Sequence, residues 1–138
     1  MSIRCGVFLA LAFLAACSGG GDPIDACPTD AELLKRFTEQ EALFEALAAN
    51  PGDEATQKAL GIEEIRHYKQ KPVVIRFRVW FHDFFGPGGC TKGYVWREEA
   101  PAQLVDSIDE KIKPGAAGTV EVYRAIKGKW YLYYQSAD

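Results

Sequence analysis

Two periods of apolar residues divide the chain. Between residues 29 and 50, Leu33, Leu34, Phe37, Phe44, Leu47 and Ala48 recur at helical spacing and form one stripe. Thr29 and Glu32 make a capping box ahead of it, Asp30 adds charge to the first turn, and Asn50-Pro51-Gly52 ends it. Asp53 caps a second, short helix that runs to Leu60 and stops at Gly61. From Val73 to Asp83 the period becomes two. Val73, Ile75, Phe77, Val79 and Phe81 fall on one side, and Val74, Arg76, Arg78, Trp80 and His82 on the other. A strand over 62–69 precedes it through the turn Gln70-Lys71-Pro72. The loop Gly86-Pro87-Gly88-Gly89 follows, then a strand from Thr91 to Glu98. Pro101 opens a further helix with Leu104, Val105, Ile108 and Ile112 on one face, ended by Lys113-Pro114-Gly115. Thr119–Ile126 and Lys129–Gln135 pair as a hairpin across Lys127-Gly128. Helices followed by antiparallel strands predict an α+β domain. N-terminal helices pack on one face of a mainly antiparallel sheet of about five strands, with one additional short helix before the C-terminal hairpin.

The hairpin register assigns the faces. With a two-residue loop at Lys127-Gly128, Arg124 faces Tyr131 and Val122 faces Tyr133. Tyr123, Ala125, Trp130 and Leu132 are then expected beneath the helices. Arg124, Tyr131 and Tyr133 lie on the open face, alongside Arg76, Arg78 and Trp80. Arg, Tyr and Trp are the types enriched where proteins bind partners, so these six form a candidate binding face. The competing reading is plain sheet stabilisation by cross-strand cation and aromatic pairs on a wet face.

The first residues read differently. Arg4 supplies a positive start, Val7 to Ala16 an apolar run too short to span a bilayer, and Leu14-Ala15-Ala16-Cys17 follows. That tetrapeptide resembles the lipobox of bacterial lipoproteins. The resemblance implies a signal peptide over 1–16, a lipid on Cys17, and a mature chain that starts there. Ser18 after the cysteine, in place of an acidic residue, implies the outer membrane, facing the periplasm. Residues 17–26 are then the lipidated N-terminus and a flexible, Gly-rich stalk, and 27–138 a single domain. Cys5 leaves with the signal and Cys17 takes the lipid. Cys27 and Cys90 remain, and an oxidising compartment favours a disulfide between them. The formal charge of −3, with no basic run, argues against nucleic acid as a partner.

The inventory of catalytic groups is thin. His67 and His82 are the only imidazoles, the serines beyond Cys17 are Ser18, Ser107 and Ser136, and no nucleophile elbow, zinc motif or phosphate loop occurs. His82 and Asp83 are strand neighbours that point to opposite faces, so they do not pair as base and orienter. No metal site and no cofactor are expected. Lys92-Gly93-Tyr94-Val95-Trp96, Leu104-Val105-Asp106-Ser107-Ile108-Asp109 and the run from Tyr123 to Tyr134 resemble a group of small bacterial envelope proteins. These carry KGYxY, LVDxxD and YRxIxGxWYLYY patterns, although Trp96 stands where the first pattern ends in Tyr. The resemblance covers about the last third of the domain and implies a shared fold without an activity. The expectation is a lipid-anchored, non-enzymatic module that binds an envelope protein or cell-wall component. The alternative is a cell-wall hydrolase or other envelope enzyme with an unrecognised site.

Overall fold

The computed structural model describes residues 27–83, 89–112 and 119–137. Three helices come first: α1 (Asp30–Glu39), α2 (Glu41–Ala49) and α3 (Glu54–Ala59). Five strands follow: β1 (Glu64–Tyr68), β2 (Val74–Asp83), β3 (Gly89–Arg97), β4 (Val120–Lys127) and β5 (Trp130–Ala137). They form one sheet in the order β1-β2-β3-β5-β4, and every neighbouring pair is antiparallel. The α+β class is as predicted.

The capping box closes α1. Thr29 Oγ1 accepts from the Glu32 N–H at 3.2 Å, and Glu32 accepts from the Thr29 N–H at 2.7 Å. The single helix expected behind it is broken at Gln40, whose φ of −128° and ψ of 24° leave the helical region. The break sets the rings of Phe37 and Phe44 5.1 Å apart and brings Phe44 to within 4.5 Å of Tyr94 on β3. Leu33, Phe37, Phe44 and Leu47 bury against Phe77, Tyr94, Trp130 and Leu132 of the sheet. Each such side chain contributes roughly 1.5–3 kcal/mol by leaving water. Two polar atoms are carried into this layer with partners: Tyr94 donates to the Leu33 carbonyl at 2.7 Å, and Trp130 Nε1 donates to Glu45 at 2.9 Å.

Three further expectations fail locally. Residues 101–112 form no helix. Val105 N–H donates instead to the Tyr123 carbonyl at 2.8 Å, on the outer edge of β4, and Ile108 N–H donates to Asp30 at 2.8 Å. With those donors held by distant acceptors, only a turn at Ile108–Ile112 remains. Ile108 is buried while Leu104, assigned to the same apolar face, is 50 % exposed. The second failure is in β2, where the register shifts between Arg78 and Trp80. Val79 is an extra residue there, a bulge that reverses the parity of everything after it. The third is in the hairpin: Lys127 faces Trp130, a second shift falls between Ala125 and Lys127, and the loop is Gly128-Lys129.

Candidate functional site

The observed registers rewrite the open face. One row across the sheet reads Glu64, Arg78, Gly93, Tyr133 and Tyr123; the next reads Arg66, Arg76, Val95, Tyr131 and Ala125. Past the bulge, Phe81, Thr91, Gln135 and Glu121 continue the same face. Arg76, Arg78, Tyr131 and Tyr133 are therefore where parity predicts. Trp80 and Arg124 are not. The bulge turns Trp80 to the helix-covered side, half-buried against the main core and stacked 6.1 Å from His82. The one-residue slip in the hairpin turns Arg124 to that same side and brings Tyr123 to the open face in its place.

The open-face tyrosines do not stand in solvent. Val95, Tyr123, Tyr131 and Tyr133 form a second small core, and Tyr131 and Tyr133 are 6 % and 2 % exposed. Arginines roof it. The Arg76 guanidinium lies 5.3 Å from the centre of the Tyr133 ring, Arg97 lies 4.9 Å from that of Tyr123, and Arg78 5.0 Å from that of Phe81. Among the described residues these three are the arginines whose buried Nε atoms lack a hydrogen-bond acceptor; the ring faces hold the guanidiniums as cations. Arg76 spends its outer nitrogens on Gln135 at 2.9 Å, Glu121 at 2.7 Å and the Tyr123 hydroxyl at 3.1 Å. Tyr123 itself donates to Glu121. Burial pushes the Tyr133 and Tyr123 hydroxyls above the ordinary tyrosine range, so both stay protonated donors near neutrality.

A cavity of about 140 Å³ opens between β1, β2, β3 and β5. Arg66, Arg76, Arg78 and Tyr133 line it, with Glu64, Thr91 and Gln135, and Phe81 stands at its side, 47 % exposed. Phe81 and Arg66 escaped sequence reasoning. Unbroken alternation along β2 puts Phe81 on the side of Ile75 and Phe77, away from Arg76 and Arg78. The one signal against that was Gly93 in the middle of β3, since a glycine inside a strand often marks a bulge or close backbone approach.

A second polar centre lies under the helices. Lys92 has no exposed surface, and its Nζ sits 2.8 Å from Asp30 Oδ1 and 2.7 Å from Asp109 Oδ1. Asp109 accepts a hydrogen bond from it, and the contact with Asp30 is a close ion pair. Asp30, 2 % exposed, also receives Arg124 at 2.9 Å and the Ile108 N–H at 2.8 Å. Burial alone would raise the Asp30 carboxyl; Lys92, Arg124 and the Ile108 amide outweigh it and hold the group below the ordinary 3.8. The cluster ties α1, β3, β4 and the 101–112 segment together. Chemically it is a clamp.

Cys17 lies outside the described residues. Cys27 and Cys90 are free thiols in this structure, in place of the expected disulfide. They are electrostatic neighbours: burial pushes the Cys27 thiol up to about 11, with Lys92 opposing and Cys90 adding to the rise. Among the described residues no group of three or more His, Cys, Asp or Glu is placed to hold a metal ion, and no helix is long and apolar enough to cross a membrane. No family model, no curated protein and no solved structure matches the chain significantly.

Proposed function

We propose that the protein is a lipid-anchored binding module of the cell envelope, held by Cys17 to the outer membrane on its periplasmic side. It engages an envelope protein or cell-wall component through the open face of its sheet. The observation that supports this best is the cavity edged by Arg66, Arg78 and an exposed Phe81. An exposed aromatic beside convergent polar groups at a concavity is the pattern of a binding site. Trp80, Arg124 and Tyr131 take no part in it, and the buried Tyr133 serves as its floor.

The test is made in cells, with a photo-crosslinking residue at position 81 and, separately, at position 104. Leu104 is as exposed and apolar as Phe81 but does not line the cavity. Adducts of defined mass should form from 81 and not from 104, in the membrane fraction. The Cys17→Ala variant should keep its first residues and leave that fraction. Equal crosslinking from both positions would refute the binding face, and membrane retention of a normally processed Cys17→Ala protein would refute the anchor.

A further inference from the structure

We infer that the open-face cavity is a receptor for a phosphate monoester group. The inference rests on the binding reading above and names its chemistry. Arg66 and Arg76 are direct cross-strand partners, and Arg78 lies two residues further along the same face. Like charges set opposite each other destabilise a bare sheet, so this grouping needs counter-charge. Of the residues that line the cavity, only Glu64 supplies it, accepting from Arg66 Nε at 2.6 Å and lying 2.6 Å from Arg78 Nη1. Glu121 and Glu63 balance Arg76 and Arg78 without lining the cavity, at 2.7 Å and 3.6 Å. The cavity wall thus presents three guanidiniums and one carboxylate.

The guanidinium forks that face the cavity, rather than a net charge, select the ligand. A phosphate monoester carries about −1.5 to −2 at neutral pH and three terminal oxygens. It can therefore satisfy several guanidinium forks at once, where a carboxylate offers one charge and two oxygens. Gln135 reinforces the preference, because its carbonyl oxygen is taken by Arg76 and its amide nitrogen remains as a donor. The volume of about 140 Å³ is well above the roughly 10–15 Å³ that admits one water. Phe81 gives the ester's carbon body an apolar wall, which inorganic phosphate would not use.

Backbone amide shifts of the purified protein should be followed by NMR at constant ionic strength, with phenyl phosphate, inorganic phosphate and benzoate as probes. Phenyl phosphate should move cavity residues saturably and bind more tightly than either of the others. Arg66→Gln and Arg78→Gln should each weaken it about tenfold or more. Urea unfolding of both variants separates lost binding from lost fold, and Arg66, with a side chain 60 % exposed, is the variant expected to fold normally. Co-sedimentation with phosphatidic acid in phosphatidylcholine vesicles, lost in Arg78→Gln, would place the phosphate on a lipid. Phenyl phosphate binding without co-sedimentation would place it on a soluble or polymeric ligand. Benzoate binding as tight as phenyl phosphate, shifts scattered over the surface, or folded Arg66→Gln protein that binds unchanged would each overturn the inference. A specific crosslink from position 81 that survives such a result would leave the binding reading standing with a different ligand.

Discussion

Lys92 sets the energetics at the residue scale. Taking an ammonium and a carboxylate out of water costs several kcal/mol per ion, recovered only where partners are close and complete. Here they are, with Asp30 and Asp109 on Lys92 and Arg124 on Asp30. Removing one charge from such a set leaves the others buried and uncompensated. Asp30→Asn should therefore lose about 3 kcal/mol or more of stability near neutral pH. The pH dependence has a definite sign. The folded-state value of Asp30 lies below 3.8, so its contribution is fully present above the unfolded value and fades as pH falls through the folded one. The gap in urea midpoint between the natural protein and Asp30→Asn should be constant from roughly pH 5 to 8 and narrow below about pH 4. An equal gap at both ends would remove Asp30 from the acid response. No sequence pattern announced the cluster, because its four charges are far apart in the chain and meet only through the fold. The parity of β3 gave a partial signal, since it puts Lys92 on the side of Tyr94.

At the scale of elements, one glycine decides which residues form the open face. A Cβ on Gly93 would lie 2.1 Å from the Phe77 carbonyl oxygen, 3.0 Å from Val79 N and 3.1 Å from Arg78 Cα. All three are backbone atoms at the bulge, which cannot rotate away. Gly93→Ala should cost at least the upper end of the roughly 1–3 kcal/mol usual for overpacking. Gly52→Ala, whose new Cβ would come no nearer than 3.7 Å to a side-chain oxygen, should change stability by less than about 0.5 kcal/mol. Similar urea midpoints for the two variants would mean that the bulge yields. The same bulge marks the limit of what the sequence made legible. Alternation located β2 and put Arg76 and Arg78 on the correct side, because period two holds as long as pairing is regular. It misplaced Trp80 and Phe81 because one extra residue inverts all that follows. The hairpin failed likewise: turn chemistry placed it, but a one-residue slip exchanged Tyr123 for Arg124. The helix expected after Pro101 had the right spacing, yet backbone bonds to Tyr123 and Asp30 outcompeted local ones. Faces of a sheet depend on register, and register is settled by contacts between segments that a local pattern does not contain.

If Cys17 anchors the chain as proposed, the whole molecule must present one face clear of its tether. Cys90 shares a row with His82 and Ser136, on the helix-covered side of the sheet opposite Arg78 and Tyr133. Cys27, just ahead of α1, neighbours it electrostatically. A tether that joins the fold here leaves the opposite face clear for a ligand. If Cys17 bears the lipid, nine residues separate it from Cys27, a reach of at most about 35 Å. Pulling on that short stalk loads the start of α1 and the ion cluster at Asp30. A bond between Cys27 and Cys90 would divert the load to β3 at the centre of the sheet. Burial keeps Cys27 a thiol near neutral pH, with its value pushed up to about 11, so uncatalysed oxidation should be slow and the bond should depend on an oxidising compartment. If the protein is exported as proposed, protein recovered from the periplasm without reduction should yield linked Cys27 and Cys90 peptides by mass spectrometry. The closed loop of about 64 residues should add up to roughly 4 kcal/mol, lost on reduction. Cytoplasmic expression should give the two free thiols seen in this structure, with the same fold at lower stability. If the periplasmic protein alkylates freely at both cysteines, or its urea midpoint ignores reductant, the stalk is held by α1 and the Asp30 cluster alone.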